Sequence, residues 1–229
     1  MTTRLLFKVL NEDGTSCHGG KGRWPLPRGD RPGAALSVRG TLIPCENGLH
    51  LCRLDDLLEW LGPAIWLAQV PDGVEEIACP DKVVVRTARL ERRLTTWNRR
   101  TARLFACDCA EHVLPINPDP RCITAITVAR RFVDGKATEA TLAAARFAAR
   151  DAIWGRWACI LPSAAAAAAR AATWAAVGPG AAAPYYAARD AARDATVAVA
   201  LSSCLTPAGA AERKWQTERL MQYLRGEVA

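Results

Sequence analysis

The stretch KVVVRTARLERRLTTWNRRTARLFACDC, residues 82–109, spans the point at which the chain changes from strand-forming to helix-forming sequence. It begins with three consecutive valines, and β-branched residues favour strands. Beyond Thr95 the strand pattern disappears, and alanine and arginine dominate the remaining residues, as is typical of helices. We therefore predict a small α+β module over residues 1–93, followed by an all-α, alanine-rich helical bundle over residues 94–229.

The N-terminal module should contain a small sheet with one helix. Strand-like runs occupy residues 4–10, 64–70 and 82–86, and turn-forming residues bound them. Before the second run, leucines recur at helical spacing over residues 54–61 until Gly62-Pro63 ends the pattern. Residues 17–40 hold six glycines and three prolines, which predicts a long surface loop of the kind that often carries function.

Stop signals divide the C-terminal part into about six helices with short connections. We expect them over about residues 95–113, 121–133, 138–160, 164–177, 184–201 and 207–224. Alanine is the best helix former and has almost no side chain. Helices of this composition can therefore approach one another closely, as a bundle requires.

Composition limits the class of protein. Half of the 229 residues are apolar, yet no apolar run approaches the ~20 residues of a membrane span. The N-terminal residues lack a secretory signal core, and nine scattered cysteines do not form the regular pattern of a secreted disulfide framework. We expect a soluble cytoplasmic protein with reduced thiols and no membrane partner.

The segment CENGLHLC, residues 45–52, is the strongest candidate for chemistry in the N-terminal module. If a metal were bound, its ligands would be Cys17, Cys45, His50 and Cys52. Structural zinc sites usually combine two tight cysteine pairs, which this segment lacks. We therefore expect no cofactor and no metal, with zinc as the alternative.

A second cysteine and histidine pair, Cys109 and His112, lies one helical turn apart in the first predicted helix. Such neighbours on an apolar helix usually pack rather than act as a nucleophile and its base. No acidic third member is evident nearby in the sequence, and the chain has no phosphate-binding loop or Gly-x-Ser-x-Gly motif.

Seven arginines within residues 86–103 make the strongest charge asymmetry in a chain whose formal net charge is +7. This basic seam has two interpretations. It is either a solvated junction between the modules, which we favour, or a surface that binds a phosphate backbone or a partner. In the second case the contact residues would be Arg92, Arg93, Trp97, Arg99, Arg100 and Arg103, with Trp97 stacking on a base.

The helical part resembles the alanine-rich helical domain of the bacterial immunity-protein-five-like family. The resemblance lies in ARLFA (residues 102–106), EHVLP (111–115), ARRFVDGKAT (129–138) and ERKWQ (212–216). It covers more than half of the chain. The family name implies neutralisation of a toxin by protein binding.

The N-terminal part resembles an uncharacterised domain of phage and actinobacterial proteins, whose mark is a Cys-x-x-Gly-aromatic-His-x-Cys segment. Here Leu49 replaces the aromatic residue of residues 45–52. The order of strand, Gly-x-His, helix and strand is similar to the ADP-ribosyltransferase fold. That similarity implies a nicotinamide-stacking tyrosine and a catalytic glutamate. No tyrosine precedes Tyr185, and the well-placed glutamates are Glu75 and Glu76.

Three hypotheses of function follow. The first is a non-enzymatic binding protein of an immunity or phage–host conflict system, acting through an unknown protein partner. The second is an enzyme or binder of a nucleotide or NAD-like ligand in the N-terminal module. The third is nucleic-acid binding through the basic seam. For the second, the catalytic candidates are His50 and Glu76, and the ligand-binding candidates are Arg4, Arg23, Cys45 and Gly48.

Overall fold

The structure is a computed structural model that describes residues 3–116, 118–154, 164–178, 180, 182–202 and 207–228. For residues 3–5, 153, 154, 164–166, 168 and 207 it describes the backbone alone. The chain divides into two compact units, Met1–Trp97 and Asn98–Ala229, so Trp97 belongs to the first. In the described part of the chain, no helix combines the length and hydrophobicity that crossing a membrane demands.

The described part of the first unit contains seven strands, and every pairing between them is antiparallel. The strands are β1 (Thr3–Leu10), β2 (Leu36–Ser37), β3 (Leu49–Leu51), β4 (Ala64–Pro71), β5 (Glu76–Cys79), β6 (Lys82–Val85) and β7 (Thr87–Arg93). They form a four-stranded sheet in the order β1-β4-β7-β2 and a three-stranded sheet in the order β3-β6-β5.

A pair of backbone hydrogen bonds joins the two sheets. Phe7 in β1 and Cys52, just after β3, exchange N–H···O bonds of 2.8 Å in both directions. The sheets thus form one curled antiparallel region around a shared apolar core. That core includes Leu6, Leu10, Trp24, Leu51, Trp66, Val83 and Leu90.

The predicted helix over residues 54–61 is wrong in extent. The structure has turns there and a short 3-10 helix at Leu57–Glu59. Leu57, Leu58 and Leu61 are all buried, but the carboxylate of Asp56 accepts the N–H of Arg53 and holds the segment as a tight turn. The leucine spacing therefore reflects burial of a compact turn rather than one face of a regular helix.

The described part of the second unit contains six α-helices, as predicted, and a short 3-10 helix at Leu114–Ile116; no strand is described beyond Arg93. The α-helices are α1 (Arg99–His112), α2 (Pro120–Val133), α3 (Glu139–Trp154), α4 (Ala164–Ala175), α5 (Ala183–Ser202) and α6 (Pro207–Arg225). The mixed α+β content predicted from the sequence is confirmed. The predicted end of the third helix near residue 160 lies outside the described residues.

Side chains at the helix ends explain where the helices begin. Asn98 accepts the N–H groups of Arg100 and Thr101 and forms a capping box with Thr101 before α1. Asp119 accepts the N–H of Arg121 at the start of α2. Such caps satisfy backbone donors that have no partner within the helix.

Alanine faces fill the interior of the second unit. In α5 the side chains of Ala188, Ala191, Ala195 and Ala198 are fully buried. Because a methyl group needs little room, neighbouring helices approach closely, and the few large buried residues, such as Phe105, fill the remaining space.

Candidate functional site

The first unit contains a cavity of about 350 Å³ beside β3. Its wall combines part of β1, the tip of a glycine-rich hairpin and the CENGLHLC segment. The cavity is lined by residues 8–9, 16–22, 45–46 and 48–52, with Trp24, Trp60 and Lys82. We call it the Lys8–His50 cavity.

His50 is held in the wall by the turn that precedes β3. The backbone N–H of Cys45 donates to Nε2 of His50 over 2.9 Å. Cys45 is the one non-glycine residue with positive φ in the described part of the chain, at +68°, a strained conformation. Because Nε2 accepts, the neutral ring carries its proton on Nδ1. Burial, assisted by the positive charges of Lys8 and Lys82, lowers the pKa of His50.

Gly48 sets the position of His50 through backbone packing. A Cβ atom on Gly48 would lie 2.2 Å from Cγ1 of Val84 in β6. No side chain fits at that distance, so the approach of β3 to β6 requires glycine. Gly48 also lines the cavity. The structure requires glycine at this position because of the packing against Val84.

Lys8 places a partly buried ammonium group in the cavity wall. Its Nζ donates to the backbone oxygen of His50 over 2.8 Å and lies 5.2 Å from the centre of the Trp24 ring. Within the described residues, no carboxylate forms an ion pair with it. Burial lowers the pKa of Lys8, because the charged form is poorly solvated there.

The four residues that we expected around a metal all line this cavity. Burial raises the pKa of Cys52 to about 12, so its thiol keeps its proton and is a poor ligand and nucleophile. Nε2 of His50 already accepts from Cys45. Among the described residues, no group of three or more His, Cys, Asp or Glu side chains is arranged to hold a metal ion.

The hairpin tip supplies backbone donors at the edge of the cavity. The tip closes where the N–H of Ser16 donates to the oxygen of Gly22 over 3.1 Å. Gly19 and Gly20 have φ of +77° and +76°, which glycine adopts without a Cβ penalty. In the part of the chain that is described, the N–H groups of residues 19–22 donate to no protein acceptor. They are available to a ligand or to solvent.

Trp60 and Lys82 form a second aromatic and basic part of the wall. Nε1 of Trp60 donates to the oxygen of Asp81 over 2.8 Å, and the Trp60 oxygen lies 2.7 Å from Nε2 of His18. Nζ of Lys82 lies 5.1 Å from the Trp60 ring centre and 3.2 Å from Asp81 Oδ1. Burial opposes the charge of Lys82, but the hydrogen bond to Asp81 and the charges of Asp81, Cys45 and Cys79 together outweigh it and raise the pKa of Lys82.

The charge of the lining favours an anion. The lining holds three lysines, Lys8, Lys21 and Lys82, and one carboxylate, Glu46. Since Asp81 already pairs with Lys82, the lysines without a carboxylate partner are Lys8 and Lys21 in the described part of the chain.

The structure does not bring Glu76 to His50. Glu76, Val85 and Leu49 form one row across the strands β5, β6 and β3, whereas His50 and Val84 belong to the next row. Successive rows of a sheet point to opposite faces. Glu76 is also exposed and does not line the cavity. The two predicted catalytic residues therefore cannot act on one substrate in this cavity.

Of the two arginines predicted to bind the ligand, Arg23 lies outside the cavity. Arg23 is exposed, lies 3.6 Å from Asp13, and is not among the lining residues. The side chain of Arg4 lies outside the described residues.

Two members of the basic seam are buried, which corrects their expected role in nucleic-acid binding. Trp97 is fully buried, and its Nε1 donates to the oxygen of Gly62 over 2.9 Å. Arg103 is 4% exposed and donates to the oxygens of Val177 and Gly178, beyond the end of α4. Neither side chain is open to a base or a phosphate.

The other seam residues are more exposed but partly engaged. Arg93 is paired with Glu12 over 3.0 Å, and Arg100 with Asp134 over 3.4 Å. Arg92 and Arg99 are exposed. The surface predicted to bind nucleic acid therefore lacks an exposed aromatic ring at Trp97 and an exposed positive charge at Arg103.

The polar residues of the cavity that the sequence did not reveal are Lys8, Lys21, Trp24, Trp60 and Lys82. Two signals for them were present. The run HGGKG, residues 18–22, combines glycines with a lysine, a composition that suits an anion-binding turn. Lys8 interrupts an otherwise apolar strand, LLFKVL, and a charge in such a place usually has a specific partner.

No family model matches this chain, and comparisons with curated proteins and with solved structures found no significant match.

Proposed function

We propose that the first unit binds a small phosphate-bearing ligand of mononucleotide size in the Lys8–His50 cavity. The observation that carries this proposal is the partly buried Lys8 ammonium, which lines a cavity and has no carboxylate partner among the described residues. A buried charge is costly unless an opposite charge or several hydrogen bonds compensate it. A bound anion supplies that compensation.

The rest of the lining matches the other parts of a nucleotide. The free N–H groups of residues 19–22 suit phosphate oxygens, as backbone amides do in anion-binding turns. Trp24 and Trp60 line the cavity, and aromatic side chains suit contact with a planar base. At about 350 Å³ the cavity lies near the small end of the usual ligand range of ~300–1,000 Å³, which favours a mononucleotide over a whole dinucleotide such as NAD.

The proposal is binding rather than group transfer. Nε2 of His50 is occupied by the Cys45 amide, the Cys52 thiol is protonated, and Glu76 points away from His50. The similarity in element order to the ADP-ribosyltransferase fold thus supports a nucleotide-related ligand but not a transferase reaction.

Calorimetric titration with AMP, adenosine and inorganic phosphate tests the proposal. AMP should bind more tightly than adenosine, because only AMP carries the phosphate that meets Lys8. Lys8→Met should weaken AMP binding by roughly 10- to 100-fold, since a hydrogen bond to a charged group is worth about 1.5–3 kcal/mol. Lys136→Met, at an exposed lysine of the second unit, is the matched control and should bind AMP like the wild type.

Equal affinities for AMP and adenosine would count against the anion as the recognised group. Unchanged AMP binding by Lys8→Met would remove Lys8 from the site. Absence of binding by AMP and by the corresponding guanine, cytosine and uracil nucleotides would reject the mononucleotide class.

A second candidate function, binding of a protein partner, is favoured by apolar side chains that the helical unit leaves exposed. Phe147 in α3 is 55% exposed and Ile123 in α2 is 44% exposed. A photo-crosslinking amino acid at position 147 should capture a defined partner in source cells, whereas one at exposed position 210 in α6 should not. Equal capture at both positions would reject a specific surface at Phe147.

A further inference from the structure

A second cavity, of about 560 Å³, opens between α1 and α6 of the helical unit. Helix α1 contributes Asp108, Glu111 and His112, and helix α6 contributes Trp215, Glu218 and Arg219. We call it the His112 cleft. It lies entirely within the second unit and shares no residue with the Lys8–His50 cavity.

A buried carboxylate orients the imidazole of His112. Nδ1 of His112 lies 2.7 Å from Oε2 of Glu212, and the Glu212 side chain is 2% exposed. Since a carboxylate accepts, Nδ1 carries the ring proton. Nε2, on the other side of the ring, has no protein partner among the described residues, and the His112 side chain is 42% exposed.

Other side chains fix both members of this pair. Oε1 of Glu212 accepts from Nε2 of Gln216 over 2.8 Å, and the fully buried Gln216 also donates to the oxygen of Ala192 in α5. The His112 ring stacks on Trp215 with centroids 3.8 Å apart and planes 3° from parallel. The imidazole is therefore held in one orientation without a ligand.

This arrangement is unexpected in a bundle that otherwise packs with methyl groups. Burying a glutamate and a glutamine between alanine-rich helices is expensive compared with an apolar pair. A hydrogen bond that only links two helices needs one donor and one acceptor. Here the buried network instead ends at Nε2 of His112, which lies open in a cleft. A carboxylate behind a histidine, with Nε2 free, is the geometry of a general base.

The charges around the imidazole define what the cleft can accept. Asp108 and Glu111 of α1 both form ion pairs with Arg130 of α2. Asp108 also forms an ion pair with Arg219 of α6. Glu218 of α6 is exposed and forms no ion pair within the described residues. The cleft is therefore weakly acidic, and it disfavours an anionic substrate.

We propose that His112 is the general base of a hydrolytic site that acts on neutral or cationic carboxylic esters. A water proton passes to Nε2 of His112 while the water oxygen bonds to the ester carbonyl carbon and the π pair of the C=O bond moves to the carbonyl oxygen. That pair then re-forms the C=O bond as the bond from the carbon to the leaving oxygen breaks, and the proton on Nε2 passes to the departing alcohol. Glu212 and Trp215 are positioning residues, because they act through His112.

Hydrolysis of p-nitrophenyl acetate by the full chain tests the proposal against His112→Asn. The asparagine amide can keep the hydrogen bond to Glu212 but has no basic nitrogen, so its thermal unfolding should match the wild type. A general base contributes ~10²- to 10⁴-fold, so kcat/KM should fall by about 100-fold or more. An anionic p-nitrophenyl hemisuccinate should be a poorer substrate than the neutral ester.

Glu212→Gln distinguishes a positioned base from a merely structural pair. The amide no longer accepts the Nδ1 proton as a carboxylate does, so kcat should fall by about 10-fold or more while KM for the ester stays nearly unchanged. Equal rates for wild type and His112→Asn would overturn the proposal, as would a Glu212→Gln variant whose kcat equals that of the wild type.

Discussion

The two units achieve close packing through different small residues. In the first unit, isolated glycines allow individual contacts. A Cβ on Gly33 would lie 2.1 Å from the oxygen of Pro25, and one on Gly48 would lie 2.2 Å from Val84. In the second unit, rows of buried alanines allow contacts along whole helices, as in the fully buried Ala188 and Ala191 of α5.

Because of this difference, single substitutions should affect the stability of the two units differently. A glycine contact against backbone or a buried valine has no neighbour that can yield, so the strain falls on one point of the sheet. An alanine row spreads its contacts over many residues, and a helix can shift slightly to absorb one larger side chain. We therefore expect single substitutions to affect the first unit more than the second.

The largest effect should come from Gly48→Ala. The added Cβ overlaps Cγ1 of Val84, and overpacking of this kind costs about 3 kcal/mol of unfolding free energy or prevents folding of the sheet. Denaturant titration with hydrogen exchange resolved by unit measures it. The matched control is Gly22→Ala, whose Cβ makes an ordinary 3.8 Å contact with Oγ of Ser16; equal losses for both variants would contradict the account.

A smaller loss is expected for Ala149→Leu in α3. Ala149 is fully buried, so leucine overpacks the helix interface and should cost about 1–2 kcal/mol. Ala144→Leu lies on the exposed side of the same helix and should be nearly neutral. If Ala149→Leu destabilised the protein more than Gly48→Ala, the contrast between the units would be reversed.

The smallest effect concerns acid pH and should be confined to the first unit. Burial lowers the pKa of His50 below its ordinary 6.5. Between the lowered pKa of His50 in the folded chain and 6.5 in the unfolded chain, the unfolded chain binds more protons than the folded chain does. The unfolding free energy of the first unit should therefore fall as the pH decreases through this interval. His50→Gln removes the titration and should flatten this dependence. A slope that persists in His50→Gln would assign the acid effect to another group.

At alkaline pH, both units should lose stability. Burial raises the pKa of Cys52 in the first unit and of Cys107 in the second to about 12, from an ordinary 9.0. Between these values the unfolded chain releases protons that the folded chain keeps, so stability should fall as pH rises. Unit-resolved hydrogen exchange should show both units losing protection together; loss in one unit alone would contradict the burial of the other thiol.

Much of the helical unit was predictable because its signals are local. Pro120 after the cap Asp119, and Gly135 after α2, mark helix ends within a few residues of the observed ones. The helix predicted over residues 54–61 was wrong because that signal is also local. A local periodicity of leucines does not show whether the buried residues share one helical face or surround a turn.

The two cavities were less predictable because they depend on contacts between distant residues. His112 and Glu212 are separated by 100 positions, and Lys8 and His50 by 42. The CENGLHLC segment indicated that His50 matters, but its partner is a lysine in β1 rather than a glutamate. Antiparallel register alone decides that Glu76 points away from it.

The proposed function of the first unit depends on contact between the partly buried Lys8 ammonium and a bound anion. The chain has five lysines, so NMR of the protein labelled at the lysine side-chain carbon and nitrogen can resolve each one during titration with AMP. We expect a saturable shift of the Lys8 resonance, with Lys136 unchanged and with no response to adenosine at equal concentration. A Lys8 resonance that stays in place while AMP saturates the protein, or that responds equally to adenosine, would contradict it.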